Sequence, residues 1–301
     1  MQNKSNSAQT GLLIIMLAAM LWGTGNIVAK FVYQVSATNP ISIAFFRMAL
    51  SVPPLCALCW FTLRQRMFRL SLRQLLPMLV AGSFVALYQV AFYAAIPRIG
   101  VAIATIIALC SAPVIVAVAS AVIARERPQA VVLMALACAI AGTLLLVQVE
   151  PSPEQSQTNT FTGALFALLS GALYAANVMV GRKLGASSSA HPLQTVTFGF
   201  AFGALVLLVI GLVSGLVISY PAQGWAGLLY LGVISTAIAY ALFYAGMRST
   251  SSTTASIATL MEPLTATLIA WQVFDEPLSS RVVLGGGLLV AAMLLLLWER
   301  K

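Results

Sequence analysis

Glu262 is the residue with the most chemistry to offer. It stands within a long apolar stretch and is followed directly by Pro263. A carboxylate at the centre of a bilayer costs about 2.5–3.5 kcal/mol on insertion scales, so it must face a cavity, hold a partner or carry a proton. Two readings are open. Glu262 is a proton-coupling group or an anchor for a substrate amine; alternatively it is a structural acid that bonds the backbone groups freed by Pro263. Pro263 and Pro113 each remove a helical hydrogen bond and favour a kink. Loosened backbone at membrane depth is tolerated where it lines a cavity, although a static kink is the plainer alternative.

Tyrosines and amides supply the next candidates. Gln89 and Tyr93 lie four residues apart, as do Tyr240 and Tyr244, so each pair shares one helical face. Facing inward, they make a wall of rings with polar tips that suits an amphipathic metabolite. Facing outward, Tyr93 and Tyr244 form part of an interfacial belt. Thr105, Ser111, Ser256 and Thr259 give two further stretches small polar faces, for substrate contact or for close helix packing. Asn177 is a candidate for the cavity lining, with Asn26 as its near counterpart. Trp22 and Trp271 shape the pocket or meet lipid. Glu126 and Glu276 fall at the ends of apolar stretches, where they pair with arginines, cap helices or gate. Glycines 199, 203, 211 and 215 recur at multiples of four and offer a smooth face to a neighbouring helix.

Enzyme chemistry finds no footing. The chain has no P-loop, H-E-x-x-H or G-x-S-x-G pattern, and its one histidine, His191, precedes Pro192 in an expected loop. Cys56 and Cys59 form a C-x-x-C, but they sit in an apolar run without a second pair or a nearby histidine, which points to packing. Neither a metal nor a cofactor is expected.

The elements that position these residues follow from composition. Of 301 residues 60% are hydrophobic and 8% charged, whereas soluble domains carry roughly 25% charged residues. The net charge of +9 comes from cations in short breaks between apolar runs, the pattern of topology signals and not of nucleic-acid binding. Ten stretches are long enough to cross about 30 Å of hydrocarbon: 11–33, 41–63, 75–96, 101–123, 129–148, 161–184, 193–218, 225–246, 253–274 and 281–298. They are too long and too uniformly apolar for barrel strands, so helices are expected. The first exceeds a signal-peptide core and reads as a retained span. With the N-terminus inside, twelve cations fall inside and four (Lys30, Arg47, Arg98 and Arg281) outside, which places both termini in the cytoplasm. The polar stretch 149–160 lacks Lys and Arg and reads as a linker on the outer side.

The two flanking segments, 11–148 and 161–298, overlay one another. Trp22 and Lys30 match Tyr174 and Arg182 at an offset of 152; Asn39-Pro40 matches His191-Pro192 at the same offset. Phe92-Tyr93-Ala94 matches Phe243-Tyr244-Ala245 at 151, and Pro113 and Glu126 match Pro263 and Glu276 at 150. Glu262 itself falls opposite Ala112, so symmetric packing does not demand it. A five-helix unit crosses the membrane an odd number of times, so its second copy must be upside down. Inverted repeats are a recurrent plan of secondary transporters, because two similar units can exchange conformations across a midplane site.

Several motifs carry a resemblance. They are Trp22-Gly23, Pro40 with Phe45-Phe46-Arg47, Pro113 followed by Arg125-Glu126-Arg127, and Glu262-Pro263 followed by Asp275-Glu276-Pro277. In these the chain resembles the drug/metabolite transporter superfamily, in its ten-helix form with two EamA-type domains. The second copy departs from the pattern: Tyr174-Ala175 replaces Trp-Gly and Gly199 stands where Arg47 would recur. The resemblance implies an all-α integral membrane protein of ten transmembrane helices in two inverted five-helix repeats. It also implies a multi-pass plasma-membrane carrier for a small organic metabolite. An amino acid or related compound is expected, moved outward by alternating access with protons as the coupling ion. A channel or lipid-handling scaffold of the same fold is the alternative.

Overall fold

The computed structural model describes residues 2–68, 70–124, 130–147, 157–185, 191–250, 255, 258–276 and 278–299. Among these residues the fold is all-helical, with ten main helices and no strand. In the first half of the chain these are α1 Gln2–Val35, α2 Pro40–Leu63, α3 Leu72–Ile99, α4 Val101–Ala124 and α5 Ala130–Val147. In the second they are α6 Gln157–Gly185, α7 Pro192–Ser214, α8 Ala222–Met247, α9 Met261–Phe274 and α10 Ser280–Glu299. Seven helices are long and apolar enough to span a bilayer; Ala130–Leu146 and Ser280–Leu295 are shorter apolar helices. Apolar stretches this short can still cross a membrane that thins locally to meet them. Glu126, Ser256, Pro277 and most of the stretch 149–160 lie outside the described residues.

Local signals set the helix ends. The Asn39 side chain accepts from Ser42 N at 2.9 Å, with Pro40 in the first turn of α2. His191, expected in a loop, is the N-cap of α7. Its Nδ1 accepts from Leu193 N at 3.2 Å, and its own N–H donates to Gln194 Oε1 at 2.9 Å. Gly215 was grouped with the α7 packing face, but it lies beyond the helix as a left-handed C-cap at φ 93°. A chain that must turn after Ser214 uses the residue without a Cβ. Gly100, at φ 80°, makes the corresponding turn between α3 and α4.

Two helices depart from regular α geometry. In α8, residues Tyr230–Ile238 form a π-helix. Thr236 Oγ1 supports it by donating to Leu231 O, five residues back, at 2.7 Å. The second departure precedes α9. Residues 259 and 260 form a turn, and Glu262 N donates to Thr259 O at 3.0 Å, three residues back. Pro263 has no N–H to offer that carbonyl and disfavours helix at the residue before it, so the break falls on the N-terminal side of the proline. Pro113, by contrast, is carried inside a continuous α4.

The chain divides into two compact units. Unit 1 comprises Met1–Ala86 and Val180–Ala266; unit 2 comprises Leu87–Met179 and Thr267–Lys301. Each therefore draws helices from both halves of the sequence. In unit 1 the backbones of α3 and α7 meet at glycines: a Cβ on Gly82 would stand 2.1 Å from Gly199 O, and one on Gly203 2.7 Å from Gly82 O. In unit 2, α5 and α10 approach at Gly142 and Gly285, where a Cβ on either would come within 2.8 Å of the other's carbonyl oxygen. Small residues allow such contact in a membrane, where dispersion replaces the hydrophobic drive.

Candidate functional site

The centre of unit 1 gathers polar groups from α1, α2, α8 and the start of α9. Asn26 is 2% exposed, and its Nδ2 donates to Glu262 Oε1 at 3.2 Å. Gly23 permits this approach, since a Cβ there would lie 2.7 Å from Glu262 O. The Trp22-Gly23 motif thus has a steric reason in its glycine. Glu262 as a residue is half-buried. Arg47, half-buried on α2, donates from Nε to Thr236 Oγ1 at 2.9 Å. Thr24 Oγ1 and Tyr230 Oη share a hydrogen bond at 2.8 Å. The π segment contributes both Tyr230 and Thr236, so the altered register of α8 is what presents these hydroxyls.

An aromatic wall borders this cluster. Trp22 packs on Tyr240 and Phe243 with ring centroids 5.2 and 5.4 Å apart. Tyr240 also packs on Phe200 at 5.2 Å and on Tyr244 at 6.3 Å. Among the described residues, Trp22 Nε1 and Ser235 Oγ are buried without a hydrogen-bond partner. Tyr244 reaches onward to a cavity of about 430 Å³, lined also by Leu58, Thr62, His191 and Arg248. At the other end of unit 1, Thr38 Oγ1 and Tyr220 Oη share a hydrogen bond at 2.6 Å, and Asn39 Nδ2 donates to Gly215 O at 2.7 Å. Burial pushes the Tyr220 phenol up from its usual value, so it stays protonated and able to donate at neutral pH.

The other candidates fall in different surroundings. Gln89, Tyr93 and Thr105 belong to unit 2 and are 2%, 0% and 0% exposed. Tyr93 therefore presents no face to an interfacial belt. Asn177 in unit 2 and Thr259 in unit 1 are half-buried, whereas Trp271 is exposed, its ring facing outward from its unit. Glu276 caps α4: its Oε1 accepts from Val101 N at 2.9 Å and its Oε2 from Ala102 N at 3.1 Å. A carboxylate over the first N–H groups of a helix is stabilising both as a cap and against the helix dipole. Replacing Glu276 by Ala is expected to destabilise the protein by about 1–2 kcal/mol. Thermal unfolding in detergent measures this, and an unchanged midpoint would remove the cap from the account.

Sequence reasoning passed over Thr236, Thr24 and Tyr230, took Arg47 as a motif residue and an outer cation but not as a site residue, and set Asn177 ahead of Asn26. Arg47 carried a usable signal. It stands well inside an apolar stretch, where an ionisable group marks a functional interior and not a loop.

Comparison with known proteins agrees with this architecture. The EamA-like transporter family pattern matches residues 9–148 and again 161–298. An uncharacterized transporter of Archaeoglobus fulgidus is 31% identical, the alignment covering 95% of each chain. The uncharacterized transporter YwfM of Bacillus subtilis is 28% identical over 94% of this chain and 92% of its own. The pseudopaline exporter CntI of Pseudomonas aeruginosa (strain UCBPP-PA14) is 29% identical over 97% and 98%. A solved crystal structure shares the fold with a TM-score of 0.64 at 16% identity, covering 95% of this chain and 94% of that one. The chain is a multi-pass membrane transporter and belongs to the EamA-like transporter family.

Proposed function

We propose that this transporter is a secondary carrier that exports an amino acid or a related small metabolite across the plasma membrane by alternating access, in exchange for protons. In this reading residues 11–148 and 161–298 are inverted repeats joined by 149–160, and both termini are cytoplasmic. One observation carries the proposal: apolar unit 1 holds both a carboxylate, Glu262, bonded to Asn26, and a guanidinium, Arg47, bonded to Thr236, together with an aromatic wall. An amino acid carries the complementary pair of charges, its ammonium suited to Glu262 and its carboxylate to Arg47. The unpartnered Trp22 Nε1 is a further donor for such a guest, and the Tyr240 and Tyr244 rings suit its apolar part. The name of the Pseudomonas relative supports the outward direction.

Counterflow in proteoliposomes tests the carrier. Vesicles preloaded with unlabelled amino acids are expected to take up the labelled compound faster than empty vesicles, with saturation and with dependence on an imposed proton gradient. Flux that rises linearly with concentration and ignores the trans side would mean a channel.

A further inference from the structure

Unit 1 carries a second concave site, which adjoins the Tyr244 cavity at Thr62 and whose arginines the transport reading does not use. At the end of α2, Trp60, Thr62, Leu63, Arg64, Gln65 and Arg66 line an open concavity of about 590 Å³. We propose that this concavity binds the headgroup of an anionic phospholipid, with its acyl chains lying along the adjoining aromatic rim.

The concavity is a built feature. Residues Arg64–Phe68 form a 3₁₀ turn, and Arg64 takes the unusual backbone angles φ 49° and ψ −134°. A non-glycine residue is held there only when its surroundings over-determine it, and such positions collect at ligand clamps. The surroundings are visible: Gln194 Nε2 donates to Arg66 O and Met67 O, each at 3.1 Å, and the Met67 side chain is buried with Cys59 and Leu193. The turn is thus fixed to α7 by its backbone and by Met67, which leaves the Arg64 and Arg66 side chains exposed.

Charge and hydrophobicity then select the occupant. Among the described residues no acidic side chain lines the concavity, while two guanidiniums do, and Arg73 follows, also exposed. Guanidinium forks match phosphate oxygens in a bidentate manner. Beside them Phe61 is 80%, Phe68 67% and Leu72 84% exposed, and Trp60 packs on Phe68 at 6.2 Å. Such apolar surface at the end of a span belongs against acyl chains, with tryptophan at headgroup level. A soluble phosphate would use the arginines and leave the rim idle, whereas a phospholipid uses both.

Native mass spectrometry on detergent-purified protein, offered equal phosphatidylglycerol and phosphatidylcholine, tests the proposal. The wild type is expected to retain phosphatidylglycerol preferentially. Each arginine removed should weaken that preference by about fivefold, and Arg64→Gln with Arg66→Gln by about thirtyfold. The corresponding pair of lysine substitutions keeps the charge and should retain most of the preference. If the glutamine double variant aggregates, the wild type still decides: its preference should fall as salt is raised. Equal retention of both lipids by the wild type, or undiminished preference in a folded glutamine variant, would overturn the site. Glycerol 1-phosphate displacing the lipid at equal concentration would also overturn it, because the rim would then add nothing.

Discussion

Glu262→Gln is expected to lower the transport rate by between about tenfold and about a hundredfold, with unchanged amounts of folded protein in the membrane. The substitution is close to isosteric. A glutamine Oε1 can still accept from Asn26 Nδ2, so the contact that joins α1 to the start of α9 survives. What disappears is the negative charge, and with it a charge-assisted hydrogen bond to any cationic guest, worth about 1.5–3 kcal/mol. The same substitution separates two roles of the carboxyl. If Glu262 carries the exchanged proton, wild-type transport varies with pH over the range in which the group titrates. The glutamine variant has no proton to gain or lose there, so its rate is expected to be flat. A rate that is low but keeps the wild-type pH profile would leave Glu262 as a substrate anchor and place the proton elsewhere. Full activity across pH would remove it from the mechanism and return it to its structural reading beside Pro263.

How much of this was legible in the sequence depends on the kind of interaction. Glu262, Trp22, Tyr240 and Tyr244 could be found because their types are costly or unusual inside apolar runs, and a four-residue spacing fixes a common face. Ten helices could be found because the bilayer sets a minimum apolar length. The pairings could not. Asn26 and Asn177 look equivalent in sequence, and only the approach of the α9 start at Gly23 decides that Asn26 meets Glu262. Arg47 was read as a topology signal because counting cations by loop assigns every arginine to a side, including one that lies within a helix.

The π-helix in α8 was less legible still. Its hydrogen-bond register is local, but its causes are tertiary. Ser235 sits where a Cβ on Gly25 would collide with its hydroxyl, and Thr236 is held between Leu231 O and the Arg47 guanidinium. The sequence hints at it only through the small and polar residues Gly232, Ser235 and Thr236 within an otherwise apolar helix. The break before α9 was half legible. Pro263 announces a disruption, but its displacement to residues 259 and 260 follows from where the orphaned Thr259 carbonyl finds a donor, which is Glu262 N. Both irregular segments supply residues to the same polar cluster, as expected where backbone departs from its regular ladder at a functional position.

The largest expected effect on stability belongs to a glycine far from any charge. Gly82→Val is expected to destabilise the fold by about 3 kcal/mol or more, and to lower the midpoint of thermal inactivation in detergent by about 5 °C or more. A Cβ at this position would stand 2.1 Å from Gly199 O, 2.8 Å from Gly199 C and 3.1 Å from Gly199 Cα. Every one of those atoms is backbone, so no side chain can rotate away, and α3 and α7 must separate along their length. Separation would also open the contact at Gly203, which rests on Gly82 O and on the buried Met48 of α2. Gly25 provides the control. A Cβ there would meet Ser235 Oγ at 1.8 Å and Ser235 Cβ at 2.7 Å; the hydroxyl can change rotamer, and only the Cβ contact requires the α8 backbone to give. Gly25→Ala should therefore cost less than Gly82→Val, although the contact at Gly25 is shorter. The reverse order would show that the α1–α8 contact, and not the α3–α7 contact, limits the stability of unit 1.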